Sequence, residues 1–472
     1  MSTYHISMNS MKVSSRIILR FSSSSSTKVP KSFQEELCQH VVNYQQLSEK
    51  EGHNTIKAVC AFNDYFQNVY GKKRWESLGR ALLLPQADDS PGRTRSTAGL
   101  LNIHGTNQEV PQYDWIKAKI KKKHSKALVL TQIPWAKPLV ALWGDQGQIP
   151  LLPPSRLDDD SNGLYDYYCI DPASLLPVLA LFGCMDKNMS TIINKDVGEN
   201  KKDNNTRSVL GNVIASFLSK DSNKHNTSKE KQPDPSLGTA EERMCVLDMC
   251  AAPGGKTLAI LQAMTLMGSG VMVANEPSPI RRQKLERVLN QYCTAAKRGS
   301  SILVTKYNGV VFGKNDGMIP VMALSGSCVT PEDVPFSHVL LDAPCSGERH
   351  LLLPRQKNKN KNLLSNWKDN RKNQKRQLSL LKAAIAACRE EGTIVYSTCS
   401  INPRENDDVV EKVLSKRGSL ASLKELDFCI GERTKFGWII LPDHPSSLGL
   451  GPMYIAAFRR LSNSMKNADK ET

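Results

Sequence analysis

The chain has 472 residues, 40% of them hydrophobic and 23% charged, enough apolar material for one large domain with an accessory region. Its 63 Lys and Arg against 46 Asp and Glu leave a formal charge of +17. That excess favours a polyanionic partner, because each cation held near a phosphate releases a condensed counterion. The 12 cysteines form no C-x-x-C pair, which removes support for zinc ribbons and thioredoxin-like redox motifs and fits a reducing compartment.

No apolar run approaches the roughly 20 residues that a membrane span needs. The longest, Leu175 to Phe182, contains Pro177. The first residues carry Lys12, Arg16, Arg20, Lys28 and Lys31 with no acid before Glu35, and Ser22 to Ser26 are all serine. This composition predicts a mitochondrial transit peptide over residues 1–32, with a plastid as the alternative destination.

Residues Phe33 to Pro85 read as helical, with Val59, Phe62, Tyr65, Phe66 and Tyr70 at helical spacing and Trp75, Leu78 and Leu82 continuing it. Gln86 to Gln112, rich in Gly, Ser, Asp and Pro, reads as a loop. Lys117, Lys119, Lys121, Lys122, Lys123 and Lys126 follow beside Trp115, a solvated charge run or an RNA backbone contact. Residues 33–164 are therefore expected to be a helical, RNA-contacting region. Tyr165 to Phe182 is a compact aromatic and apolar segment that opens the next unit, residues 165–462. Lys187 to about Ala240 reads as a disordered insertion within it, and residues 463–472 as a tail.

From Met244 strands and helices alternate. Strands are expected at Met244–Met249, Gly270–Asn275, Ile302–Lys306, His338–Leu341 and Thr393–Ser397, with a last one in Gly451–Arg460. Helices fall at Thr257–Met267, about Ile280–Ala296, about Gln374–Glu390 and from near Arg404. The alternation implies an α/β fold, a doubly wound and mostly parallel Rossmann-like sheet with an N-terminal helical extension. Ligands then sit at the carboxyl ends of the strands.

The first strand-to-helix turn reads Asp248-Met249-Cys250-Ala251-Ala252-Pro253-Gly254-Gly255-Lys256-Thr257. Glycine lets the backbone approach a ligand, and the following helix presents free N–H groups. A phosphate loop needs glycine where Cys250 stands, which argues against a nucleoside triphosphate. Glu276, after the second strand, can accept from both hydroxyls of a ribose. The dinucleotide fingerprint G-x-G-x-x-G is absent, which tilts the choice from a dinucleotide towards S-adenosylmethionine.

Asp342-Ala343-Pro344-Cys345 follows the fourth strand, and Ser397-Thr398-Cys399-Ser400 follows the next. One cysteine at a strand end is ordinarily packing. Two at neighbouring ends, one beside an acid, suit cytosine chemistry. C5 of cytosine is a poor nucleophile until a thiolate adds to C6; C5 can then take a methyl group, a base removes its proton, and the thiol leaves. An acid near N3, the place of Asp342, stabilises the adduct.

Together these residues resemble the Sun-domain (Nop/Sun) family of RNA cytosine-5 methyltransferases. The likeness covers Tyr165–Phe182 and Val246–Arg460, and reaches more weakly into Phe62–Leu83. Tyr167 to Leu181 and Gly451-Pro452-Met453-Tyr454 look most like the family's mitochondrial members. The resemblance implies that Cys250, Ala251, Ala252, Pro253, Gly254, Gly255 and Lys256 form the S-adenosylmethionine loop and that Glu276 binds its ribose. It makes Cys399 the nucleophile, Cys345 the thiol that assists release, and Asp342 the acid near the methyl group and base. Lys256 reaches the target nucleotide. Where the family has an Asp for the adenine amino group, this chain has Asn308, whose carbonyl can still accept.

The expected substrate is ribosomal RNA, with transfer RNA second, delivered by a partner protein if one is needed. Arg355 to Arg376 is basic and Asn-rich, an RNA-binding loop or a solvated insertion. Two competitors stand against this reading. An amino-group methyltransferase would want an aromatic residue after Pro344 and no second cysteine. A non-catalytic ribosome-assembly factor would be expected to have lost the thiol or the cofactor loop.

Overall fold

The computed structural model describes residues 5–7, 18–20, 32–45, 49–83, 98–102, 130–144, 154–156, 163–184, 244–267, 270–313, 336–352, 371–415 and 420–462. The expected insertion at 187–240 lies outside them, as do the lysine run of 117–126, residues 353–370 of the basic loop and most of residues 1–31. No described helix is long and apolar enough to cross a membrane.

In chain order, β1 (His5–Ser7) and β2 (Ile18–Arg20) pair antiparallel. Three helices follow, α1 (Phe33–Gln45), α2 (Glu49–Tyr70) and α3 (Lys72–Leu82), over the stretch expected to be helical. Phe62 and Phe66 are fully buried against Trp75, whose ring lies 5.2 Å from that of Phe66 and whose indole N–H donates to Asn63 at 2.9 Å. Burying an aromatic side chain contributes about 1.5–3 kcal/mol, so this cluster alone holds α2 to α3.

The next strands, β3 (Ala98–Leu101), β4 (Leu130–Gln132), β5 (Ala141–Gly144) and β6 (Tyr167–Ile170), form a four-stranded antiparallel sheet in the order β4-β5-β3-β6. This departs from the expected loop at 86–112. Ala98-Gly99-Leu100-Leu101 is buried throughout but too short to show a period, and its glycine reads as a loop signal. The sheet also straddles position 164/165, since β3 pairs with β6. A 3-10 turn at Pro172–Leu175 leads into α4 (Leu176–Leu181).

Then come β7 (Met244–Asp248), α5 (Gly255–Met267), β8 (Gly270–Asn275), α6 (Pro279–Tyr292), α7 (Ala295–Ser301), β9 (Ile302–Thr305) and β10 (Phe336–Asp342). After them stand α8 (Glu348–Leu352), α9 (Arg371–Ala387), β11 (Cys388–Thr398) and α10 (Asp407–Leu414). The chain closes with β12 (Ala421–Lys424), β13 (Glu432–Arg433), β14 (Trp438–Ile440) and β15 (Met453–Arg460). The expected helix over 374–390 ends earlier, at Ala387. The strand begins at Cys388 because it pairs there with Phe336 before a register irregularity.

These strands build a nine-stranded sheet among the described residues, ordered β13-β14-β15-β11-β10-β7-β8-β9, with β12 on β15. Neighbours from β11 to β9 are parallel, and β15 is antiparallel to β11. Chain order runs outward from β7 to β9, then returns to β10 and β11 on the other side. The switch point therefore lies between β7 and β10, where ligands bind in open α/β sheets. Alternate residues face opposite layers. Leu247, Leu341 and Tyr396 pack with α1 to α3, α9 and α10; Val246, Leu340 and Val395 pack with α5, α6 and the small sheet. Gln262, buried on α5, ties that small sheet down: it accepts from Val140 N at 2.7 Å and donates to Leu101 O at 2.9 Å.

Candidate active site

The turn after β7 is held from below. Asn275, the last residue of β8, donates to Met249 O and Tyr307 O at 3.1 and 3.0 Å and accepts from Thr305 Oγ1 and Tyr307 N, both at 2.9 Å. One amide thus stitches the ends of β7, β8 and β9. Ala251 N donates to Asn275 O at 2.9 Å, so Cys250, Ala251 and Ala252 are pinned and almost wholly buried. Gly254 sits at φ 119°, open to glycine, and a Cβ there would lie 3.0 Å from Val288. A Cβ on Gly255 would lie 2.8 Å from the Tyr168 ring. Both glycines are packed so closely against these side chains that a Cβ would crowd them.

Beneath it, Asp248 accepts from Thr257 Oγ1 at 2.7 Å. Burial, with Asp342 adding to it, pushes its carboxyl up to about 7. Glu276 follows β8 and is buried; its Oε1 accepts from Ser278 N at 2.9 Å. Its Oε2 has no hydrogen bond, and Arg281 Nε stands 3.4 Å away as an ion-pair partner. The same guanidinium donates to Ala252 O at 2.7 Å, joining the loop to the acid.

Asp342 ends β10 and pairs in register with Ser397 of β11. Its Oδ1 accepts from Ser397 Oγ and its Oδ2 from Lys256 Nζ, each at 2.8 Å. Burial works against the Lys256 ammonium, but the Asp342 charge and hydrogen bond outweigh it and raise its pKa. Cys345 stands three residues past β10 and Cys399 one past β11, and their sulfurs lie 3.0 Å apart. The hydrogen bond to Cys399, with burial, pushes the Cys345 thiol well above its ordinary range. Either sulfur can donate in that contact.

The structure thus brings Lys256, Asp342, Cys345 and Cys399 together at the switch point, with the 250–256 loop on the same edge of the sheet. Asn308 lies at the mouth beyond β9; it is exposed, and its Oδ1 accepts from Val310 N at 3.3 Å. Asn275, Ser397 and the Asp248–Thr257 pair were not legible as site residues. Ser397 had a signal: it stands two before Cys399, near the end of the strand that neighbours the one ending in Asp342.

The family model described as 16S rRNA methyltransferase RsmB/F matches residues 236–459. The 5-cytosine rRNA methyltransferase NSUN4 of Mus musculus is 27% identical over 335 residues, 67% of this chain and 65% of its own length. The mitochondrial tRNA (cytosine(34)-C(5))-methyltransferase of Danio rerio is 31% identical over 227 residues, 46% of this chain and 55% of its own. The chain thus spans just under two thirds of the NSUN4 relative. The crystal structure of NSun6 from Pyrococcus horikoshii with SFG is similar in fold, with a TM-score of 0.50 at 15% identity, over 85% of this chain and 98% of that one.

S-adenosylmethionine is the cofactor of such proteins, and the residues fit it. Glu276 Oε2, buried and without a hydrogen bond, can accept one of the kind a ribose hydroxyl supplies. Over residues 236–459, just under half of its length, the chain is similar to the 16S rRNA methyltransferase RsmB/F family.

Proposed function

We propose that this chain transfers a methyl group from S-adenosylmethionine to C5 of cytosine in RNA, mitochondrial ribosomal RNA first, through a covalent cysteine–C6 adduct. The observation that carries the proposal is the 3.0 Å approach of the Cys345 and Cys399 sulfurs beside the Lys256–Asp342 pair. When bound, S-adenosylmethionine supplies an electrophilic methyl group, with Glu276 on its ribose, the 250–256 loop around it and Asn308 at its adenine amino group.

In this reading the Cys399 thiolate forms a bond to C6, and the C5=C6 electron pair moves to C5, which becomes the carbon that is methylated. Asp342 accepts at both oxygens in the resting site, so the proton it lends to N3 comes from its partner, the Lys256 ammonium. Once a base has taken the C5 proton, the S–C6 bond breaks and the double bond returns; Cys345, holding its proton beside Cys399, assists that release. Paired thiols 3.0 Å apart have no task in amino-group methylation, and a bare assembly factor needs neither.

Ribosomal RNA is favoured by the RsmB/F match and by the NSUN4 relative. Transfer RNA is the second reading, supported by the zebrafish relative, whose identity is higher over a shorter stretch. The basic N-terminal residues 1–32 support import into the mitochondrial matrix, and that relative's name says mitochondrial. Residues 33–164 would contact the RNA, residues 165–462 would carry the chemistry, and a partner protein would deliver the substrate if one is needed.

The test separates the cysteines. Cys399→Ala should abolish methyl transfer and leave no RNA adduct. Cys345→Ala should leave the protein trapped on RNA, visible in a denaturing gel. Two mutants with near-normal turnover would end the covalent mechanism. Bisulfite sequencing of organellar RNA with and without the protein then decides between ribosomal and transfer RNA.

A further inference from the structure

Directly beneath the two thiols lies an acid that this mechanism does not use. Glu348, the first residue of α8, is completely buried. Its Oε1 accepts from Ser346 Oγ and from Ser400 Oγ, the latter at 3.0 Å, and its Oε2 accepts from Ile401 N at 3.0 Å. Ser346 is the neighbour of Cys345; Ser400 and Ile401 directly follow Cys399. The two turns reach this carboxylate from strand ends whose cysteines are 54 residues apart in the chain. Gly347, at φ 58°, turns the chain so that Glu348 points inward; a Cβ there would come 3.6 Å from Cys399 Sγ.

A second buried acid reinforces the first. Glu405 accepts from Ser346 N and Gln377 Nε2, each at 2.9 Å, and Gln377 also donates to Pro344 O at 2.9 Å. Two hydroxyls and one backbone N–H converge on Glu348 from both turns. A carboxylate has acceptor capacity on both oxygens for all three, whereas an amide turns donors towards the Ile401 N–H. Burying this acid is costly unless it is so satisfied, which makes the arrangement sensitive to any change at the position.

We propose that Glu348 is the positioning residue of the two-cysteine site: it clamps the Cys345 and Cys399 turns in register and so sets the contact between their sulfurs. This rests on the reading of Cys399 as nucleophile for its kinetic consequence, but not for its geometry. A misplacement near 1 Å at a reacting group can lower a rate about 100-fold.

The test uses the full chain with Glu348→Ala, Glu348→Gln, Glu348→Asp and Ser400→Ala. Iodoacetamide labelling read by mass spectrometry follows each thiol separately, with exposed Cys429 as the internal reference and buried Cys245 as the sign of general loosening. Glu348→Ala and Glu348→Gln should lower Cys399 labelling relative to Cys429 about tenfold, leave Cys245 protected, and lower kcat about 100-fold at unchanged S-adenosylmethionine affinity. Glu348→Asp, which keeps two acceptor oxygens, should restore part of both readouts. Ser400→Ala, which removes one donor and leaves the acid, should show the same changes more weakly and serves if the Glu348 variants do not fold. The proposal is overturned if the labelling ratio stays constant, or if Cys245 becomes reactive in parallel with Cys399. Labelling needs no RNA, so an inactive wild-type enzyme would count against the proposed reaction and leave the clamp to be judged on thiol reactivity.

Discussion

Tyr70, at the end of α2, donates its hydroxyl to the carbonyl oxygen of Ile401, two residues past Cys399. Tyr65, a turn earlier, donates to Asn402 Oδ1 at 2.8 Å. The helical extension therefore grips the turn that carries the cysteine from a distance of more than 330 residues in sequence. Its aromatic positions serve the site as well as the core.

Replacing Tyr70 with Phe leaves the Ile401 carbonyl without this partner in a buried place. The expected loss is about 1–3 kcal/mol of stability, measured by urea denaturation. Because the affected turn leads to Cys399, turnover should fall several-fold while cofactor affinity holds. Lower stability with unchanged turnover would mean that α2 supports the fold and not the turn.

Glu276→Ala removes the carboxylate proposed to hold the ribose and frees Arg281 from its ion pair. A charge-assisted hydrogen bond contributes about 1.5–3 kcal/mol, so S-adenosylmethionine should bind roughly 10- to 100-fold more weakly by calorimetry. Equal affinity in mutant and wild type would remove Glu276 from the site.

How much of this was readable in the chain depends on the reach of each interaction. Gly254, Gly255, Asp342, Cys345 and Cys399 announce themselves because each sits in a short motif at a strand end, and alternation of strand and helix says where those ends gather. Ser397 bonds Asp342 across 55 residues, and Glu348 reaches Ser400 and Ile401 across 52 and 53. No local pattern encodes such pairings; register between β10 and β11 does. The small sheet was missed for a related reason: four-residue strands such as Ala98–Leu101 gain their identity from the neighbours they bond, and one glycine outweighs three apolar residues in a local reading.

Asp248 gives the pH dependence a definite sign. Burial pushes its carboxyl up to about 7 in the folded protein, against an unfolded value near 4, so the folded state binds the extra proton between them. Its contribution is complete below about pH 4 and is lost as pH rises through 7, by on the order of 4 kcal/mol. Asp248→Asn cannot titrate. Its stability relative to wild type, from denaturation at pH 5 and pH 8, should therefore be higher at pH 8. A difference independent of pH would place the Asp248 proton elsewhere.

The Lys256–Asp342 pair yields the sharpest energetic test. Side-chain exposures of 14% and 30% make it neither a surface pair, worth about 0–1 kcal/mol, nor one sealed from water. Asp342→Asn removes the charge that keeps the shielded ammonium favourable, and Lys256→Met leaves Asp342 with Ser397 alone as donor. Each single mutant strands a charge; the double mutant strands none. The double mutant should thus be destabilised by less than the sum of the singles, with a coupling of about 1–3 kcal/mol in urea denaturation. All three should lose methyl transfer, because in the proposed reaction the pair lends N3 its proton as a unit. Strict additivity in stability would show that the 2.8 Å contact is incidental. Turnover surviving in Lys256→Met while Asp342→Asn is dead would make Asp342 alone the acid.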